Sequence, residues 1–149
     1  THWSLSQRWI GSRRCGASLV IASEEAVKAA EDDPRQVADI VNISSIAGRV
    51  AWNGYGVYNM TKFGVNGFTE ALRQEITRRH VRVGVLEPGG VATELGSHNT
   101  GAAREEIDTF YATTEVLAPE DIADGVAYMV TRPRHASVGE LWIMPTDQA

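Results

Sequence analysis

A tyrosine and a lysine four positions apart are the residues of this chain best suited to chemistry. If their segment is helical, Tyr58 and Lys62 lie one turn apart and project from the same face. An ammonium held beside a phenol favours the phenolate, so the phenol proton moves more easily near neutral pH. Upstream, Ser44 and Ser45 end an apolar run and supply hydroxyls able to hold a substrate oxygen. Together these side chains could hold a substrate oxygen and move a proton to or from it.

Each of these features also has a plainer interpretation. A surface lysine beside a packed tyrosine gives the same spacing, and a strand can end in serines without any function. A hydrolase that uses Ser45 is disfavoured, because no histidine and acid stand in a recognisable triad context. The elements that must position the residues decide between these interpretations.

The composition excludes several classes of function. A formal net charge of -5 and a pI near 5.3 give no basic footprint for nucleic acid. The densest basic cluster, Arg78, Arg79 and Arg82, is expected to solvate a helix end and favour its dipole. No apolar run approaches the roughly 18 residues that span a bilayer, and the N-terminus lacks the apolar core of a signal peptide. Cys15 is the only cysteine, and the four histidines lack metal-ligand spacing. We therefore expect a soluble, cytoplasmic protein without a metal, a nucleic-acid partner or a membrane partner.

The hydrophobic pattern predicts an α/β domain. Residues 37–43 and 81–86 are apolar strand candidates, and residues 56–79 between them form a long helix with one apolar stripe. A strand, a helix and a strand in this order predict a βαβ unit with parallel strands. A further helix at 119–131 and a last strand at 138–144 complete the pattern.

The remaining segments are less regular. Residues 1–22 form an atypical N-terminal stretch, and Ser23 is a reasonable N-cap for a short helix over 23–30. Residues 91–116 are irregular, with one helical turn near 104–111, and a loop of this length is usually functional or mobile. We expect a substrate lid to begin at Glu94 and Leu95.

Several segments in register resemble the short-chain dehydrogenases/reductases. Residues 40–48, with the sequence IVNISSIAG, resemble that family's catalytic-serine strand, and residues 58–65, YNMTKFGV, are similar to its Tyr-Lys helix. Pro88 and Gly89 with Val91 and Thr93 look like the segment along the nicotinamide end of the cofactor. The spacings of 13 residues from Ser45 to Tyr58 and 26 from Lys62 to Pro88 also agree.

The resemblance implies a role for each matching residue. Tyr58 acts as general acid or base on the substrate oxygen, and Lys62 eases the loss of its proton and binds the nicotinamide ribose. Ser45, preferred to Ser44, stabilises the charge that develops on that oxygen. The implied cofactor is NADP or NAD, the substrate a small carbonyl or alcohol, and the assembly a homo-oligomer. The implied cofactor contacts are Tyr58, Lys62, Pro88, Gly89, Val91 and Thr93.

The family's Gly-rich turn for the pyrophosphate is not recognisable in this sequence. Residues 11–16 follow no apolar strand and have the wrong glycine spacing. We therefore expect the chain, residues 1–149, to be one incomplete Rossmann-like domain: a partial, doubly wound parallel sheet, with residues 37–149 as the family-like region. The alternative function is a non-catalytic, truncated remnant that acts as an oligomerisation or binding module.

This expectation predicts weak dinucleotide binding. Isothermal titration of NADPH and of NADH into the purified 149-residue chain should show weak binding or none, because the turn that would cradle the pyrophosphate is missing. Micromolar affinity for either dinucleotide would contradict the expectation.

Overall fold

The computed structural model describes residues 15–94 and 99–148, which form three parallel strands with flanking helices. The predicted α/β class is therefore confirmed. The strands are β1 (Ala38–Ile43), β2 (Val81–Pro88) and β3 (Glu140–Ile143). The helices are α1 (Cys15–Asp32), α2 (Gly56–Ile76), α3 (Ala102–Thr113) and α4 (Pro119–Val130). Short 3-10 turns occupy Ile46–Gly48 and Thr77–Arg79.

The sheet has the order β1-β2-β3, and both pairings are parallel. Helix α2 connects β1 to β2, which confirms the predicted βαβ unit. The register places Ile43 opposite Leu86 and Pro88 opposite Ile143. The carboxyl ends of the three strands therefore share one edge of the sheet. In open α/β sheets this edge is where ligands bind.

Strand β2 is buried along its whole length because helices cover both faces of the sheet. On one face, Val81 and Val83 pack against α1 and α2. On the other face, Gly84 lies against Met129 of α4, and Leu86 lies against Gly125. The α1–α2 face holds the main core, whose buried members are Val27, Ala30, Leu72, Ile76, Val81 and Val83.

The structure corrects three local expectations. Helix α1 begins at Cys15, so Ser23 is a buried residue inside the helix and not its N-cap. Helix α3 has 12 residues where a single turn was expected. Arg82 belongs to a basic cluster in the sequence that suggested a solvated helix end, but it lies buried on β2. For Arg82, the pairing with Asp39 across β1 and β2 outweighs the local pattern.

Two sequence-based expectations fall on residues that the structure leaves undescribed. Residues 1–14, with most of the glycine- and arginine-containing turn, lie outside the described part of the chain, as does Leu95 of the expected lid. Among the described residues, none of the helices combines the length and apolar character that a bilayer crossing needs.

The tight fit around Gly84 predicts a large cost for a single added methyl group. A Cβ at Gly84 would lie 2.6 Å from Met129 Cε and still closer to the main-chain oxygen of Val138, which cannot move aside easily. Gly84→Ala should therefore lower the free energy of unfolding by about 1–3 kcal/mol in urea denaturation.

The matched control is Gly67→Ala on α2, where an added Cβ meets nothing within 4 Å. This change should leave the free energy of unfolding equal or raise it by about 0.5–1 kcal/mol, because alanine favours the helix. Equal effects of the two substitutions would contradict the described packing of β2 against α4.

Candidate active site

Ser45 lies just beyond the carboxyl end of β1, where the chain turns into a 3-10 segment. Its backbone is extended (φ -169°, ψ 162°), and its Oγ accepts a hydrogen bond from the Ala47 N–H at 3.1 Å. This bond uses one lone pair of the hydroxyl and leaves its O–H able to donate. The side chain is 9% exposed. The serine turn, defined here as residues 44–48, therefore holds the Ser45 hydroxyl in a fixed position with its proton available.

Ser44 faces the other way, as strand alternation requires. Its hydroxyl donates to the Lys62 main-chain oxygen of α2 at 3.3 Å, and its N–H donates to Leu86 O at 2.8 Å. The Ser44 hydroxyl is thus occupied in joining β1 to α2. This arrangement favours Ser45 over Ser44 as the serine that meets a substrate.

Lys62 brings a positive charge to the end of β1. Its Nζ donates to Ser44 O at 3.1 Å and to Ile43 O at 3.4 Å, and lies 5.7 Å from the centroid of the Tyr58 ring. Burial removes water from the ammonium and lowers the pKa of Lys62 from its ordinary value of 10.5. The lysine is therefore a partly desolvated cation, beside Tyr58 and one residue from Ser45.

Helix α3 packs on the chain that follows β2. The Tyr111 hydroxyl donates to Val91 O at 2.7 Å. The pKa of Tyr111 is raised, first by burial and then by the nearby Tyr58. A Cβ at Gly90 would run into the Phe110 ring, so α3 packs directly on this backbone. The sequence predicted a single helical turn near 104–111 and did not indicate that Tyr111 binds the backbone after β2.

The segment after β2 is held chiefly by the C-terminal residues. The Gly89 N–H donates to Ile143 O at 2.8 Å, and a Cβ at Gly89 would lie 2.5 Å from Gln148 Oε1. Val91 forms a parallel bridge with Leu117, while Thr93 is exposed. Contacts thus join Lys62 to Tyr58 and to the serine turn. Pro88 and Gly89, by contrast, are tied to β3 and the chain that follows it.

A buried carboxylate connects the serine turn to β2, and sequence reasoning missed it. Glu87 is 0% exposed and pairs with Arg49 Nε at 2.8 Å. Asn66 Nδ2 donates to the same carboxylate and, at 3.1 Å, to Gly48 O. The hydrogen bond that Arg49 donates to Glu87 is the main cause that raises the pKa of Arg49. In the sequence, the signal for this buried carboxylate was an acid at the end of a largely apolar strand.

The effect of burial on the pKa of Lys62 can be measured directly, since the chain has only two lysines. In Lys28→Arg a single lysine ε-amine remains, so its resonance in a pH titration by NMR is assigned without ambiguity. The midpoint for Lys62 should lie below 10.5, because desolvation disfavours the ammonium. A midpoint at or above 10.5 would contradict the described burial.

Comparison with known proteins places the chain in a family. A family model described as short chain dehydrogenase matches residues 17–103, more than half of the chain. The NADP-dependent 3-hydroxy acid dehydrogenase of Schizosaccharomyces pombe is 34% identical over 110 residues, which are 74% of this chain and 42% of that protein. The serine 3-dehydrogenase of Agrobacterium fabrum is 31% identical over 115 residues, which are 77% and 46% of the two chains.

The solved structures agree with the sequence relatives. The closed form of a serine dehydrogenase complexed with NADP+ is similar with a TM-score of 0.75 and 29% identity, over 90% of this chain and 53% of that chain. The chain spans about half the length of the curated relatives it matches. On the matched model and this shared fold, the chain belongs to the short-chain dehydrogenase/reductase family.

Proposed function

We propose that the protein interconverts a carbonyl and an alcohol with NAD(P) as hydride carrier, and that this chain supplies the proton-transfer groups. The observation that carries the proposal is the position of the Lys62 ammonium. It contacts the main chain of the serine turn and lies 5.7 Å from the Tyr58 ring centroid. A cation in this place would offset the negative charge that develops on the Tyr58 oxygen as its proton moves to the substrate.

The residues at this edge fit the nicotinamide end of a dinucleotide. Two N–H groups of the Lys62 ammonium are used by the oxygens of Ile43 and Ser44, which leaves a third for a ribose hydroxyl. Thr93 offers an exposed hydroxyl for the carboxamide or a phosphate. Pro88, Gly89 and Val91 supply the adjoining backbone. When bound, the dinucleotide supplies or accepts the hydride, and NAD and NADP both remain in the proposal.

The protein side chains divide the remaining work. Tyr58 donates its phenolic proton to the substrate oxygen during reduction and recovers it during oxidation. The hydrogen bond from the Ala47 N–H uses a lone pair of Ser45 Oγ and leaves the Ser45 O–H able to donate. This O–H donates to the same substrate oxygen and stabilises the charge that develops there. Lys62 stabilises the phenolate that remains. Helix α3, whose Tyr111 is bonded to Val91 O, would then contribute to the choice of a small-molecule substrate.

A non-catalytic role remains the second proposal, since one observation favours it. Helix α2 exposes Val57 (75%), Met60 (67%) and Phe63 (46%) next to the catalytic candidates. Exposed apolar side chains of this kind are typical of a surface that binds another chain. Homo-oligomerisation through α2 therefore stays a prediction for either function.

Substitution of the two candidate acid–base groups tests the reaction. Turnover is measured by NAD(P)H absorbance, with dinucleotide at millimolar concentration and a panel of aldehydes, ketones and hydroxy acids. Tyr58→Phe should lower kcat by about 10²–10⁴-fold, because positioned proton transfer contributes that much. Ser45→Ala should lower kcat by about 10²–10³-fold, as the loss of one oxyanion donor does.

Tyr128→Phe is the matched control, since Tyr128 is a half-exposed tyrosine on α4. It should leave kcat unchanged. Retained turnover in Tyr58→Phe would overturn the role of Tyr58. A protein that shows no turnover with any substrate but self-associates in light scattering would favour the non-catalytic proposal.

A further inference from the structure

Asn59, the residue after Tyr58, is buried within the first turns of α2. Its side chain is directed into the serine loop, defined here as residues 46–55, which runs from the 3-10 turn after Ser45 to the start of α2. Asn59 is 5% exposed. Asparagine is a poor residue for a helix interior, because its amide competes for backbone hydrogen bonds. Its presence here is explained by the contacts it makes outside the helix.

The Asn59 amide binds the serine loop at three points. Its Nδ2 donates to Ala47 O at 2.8 Å and to Val50 O at 2.7 Å. Its Oδ1 accepts from the Trp52 N–H at 3.3 Å. Both amide protons and one amide lone pair are therefore engaged. The serine loop therefore requires a neutral side chain of the length of asparagine, with two donors and one acceptor.

One residue links this clamp to the candidate catalytic serine. The Ala47 carbonyl accepts from Asn59, while the Ala47 N–H donates to Ser45 Oγ at 3.1 Å. The helix that carries Tyr58 is thus connected to the Ser45 hydroxyl through the two sides of Ala47. Because Asn59 follows Tyr58 directly, a change in this amide displaces the serine turn relative to the tyrosine.

We propose that Asn59 is a positioning residue, which sets the Ser45 hydroxyl against the Tyr58 hydroxyl by holding the serine loop. The inference rests on the proposed function, since it matters for turnover only if Ser45 and Tyr58 act on one substrate oxygen. The Asn59 amide is engaged by the serine loop, so its proposed effect on the reaction is exerted through Ser45 and not by contact with substrate or dinucleotide. Its loss should therefore affect kcat and leave the KM for the dinucleotide little changed.

Two substitutions separate the hydrogen bonds from the shape. Asn59→Leu keeps the branching at Cγ and the number of side-chain heavy atoms, and removes all three bonds. Asn59→Asp keeps the shape, but its carboxylate cannot donate to Ala47 O and Val50 O, and only the protonated carboxyl regains one donor. Asn53→Asp is the control, because it makes the same chemical change at an exposed position of the same loop.

The first measurement is amide hydrogen exchange by NMR, which needs no turnover. In Asn59→Leu, the Ala47 and Trp52 amides should exchange faster than in the unsubstituted protein, because the serine loop is released. In Asn53→Asp they should not change. Unchanged Ala47 exchange in Asn59→Leu would overturn the proposal, since the link to Ser45 would then not depend on Asn59.

The second measurement is kcat as a function of pH. Asn59→Leu should lower kcat by about 10–10²-fold at every pH, since a displacement of about 1 Å at a reacting group can cost roughly 10²-fold. For Asn59→Asp, the ratio of its kcat to that of the unsubstituted protein should rise as the pH falls, because protonation restores a donor. If Asn59→Leu does not fold, this pH profile decides by itself, and a flat ratio contradicts the proposal.

The two proposals fail in different ways. If the unsubstituted protein shows no turnover, the proposed reaction fails, and the exchange of the Ala47 amide still decides whether Asn59 holds the serine turn. If turnover is present and kcat is unchanged although exchange is faster, Asn59 has only a structural role and the inference is wrong. An equal loss in Asn53→Asp would also overturn it.

Discussion

Two charged side chains of the fully buried strand β2 constrain the elements packed around it. Arg82 is 6% exposed and Glu87 is 0% exposed. An unpaired charge at such depth would cost several kcal/mol, so each must be paired within the protein. Arg82 forms a two-bonded pair with Asp39 of β1, and Glu87 pairs with Arg49 after the serine turn. These pairs specify which strand lies beside β2 and where the serine turn is held.

The remaining N–H groups of Arg82 extend this constraint to the chain between α4 and β3. Its guanidinium donates to the main-chain oxygens that end α4 and form the following loop, namely Val130, Arg132, Pro133 and Ala136. That loop leads into β3. Arg49, in turn, pairs with Glu140 and lies 4.7 Å from the Trp142 ring centroid. Arg82 thus holds the amino ends of β1 and β2 against the chain that follows α4, while Arg49 and Glu87 hold the carboxyl edge beside the serine turn.

Much of this architecture could be predicted, because the strongest signals in the sequence are local and periodic. The apolar runs predicted β1 and β2, and the helical stripe predicted α2, whose Leu72 and Ile76 are buried. Pro119 predicted the start of α4, where Asp121 accepts from the Ala118 N–H at 2.8 Å. The start of α1 and the length of α3 could not be predicted as well, because short apolar or polar segments carry no clear period.

The sequence by itself determined the candidate catalytic residues, the class of the fold and the order of its main elements. These could be read from the sequence because a tyrosine and a lysine at helical spacing, and an apolar period, are properties of neighbours in the chain. Only the tertiary structure decided which partners these residues meet. It separated the hydroxyl of Ser44, bound to α2, from that of Ser45, and it joined Tyr111 to the backbone after β2. It also paired Glu87 with Arg49, 38 positions away. Such pairings depend on burial and register between distant segments, which no local pattern encodes.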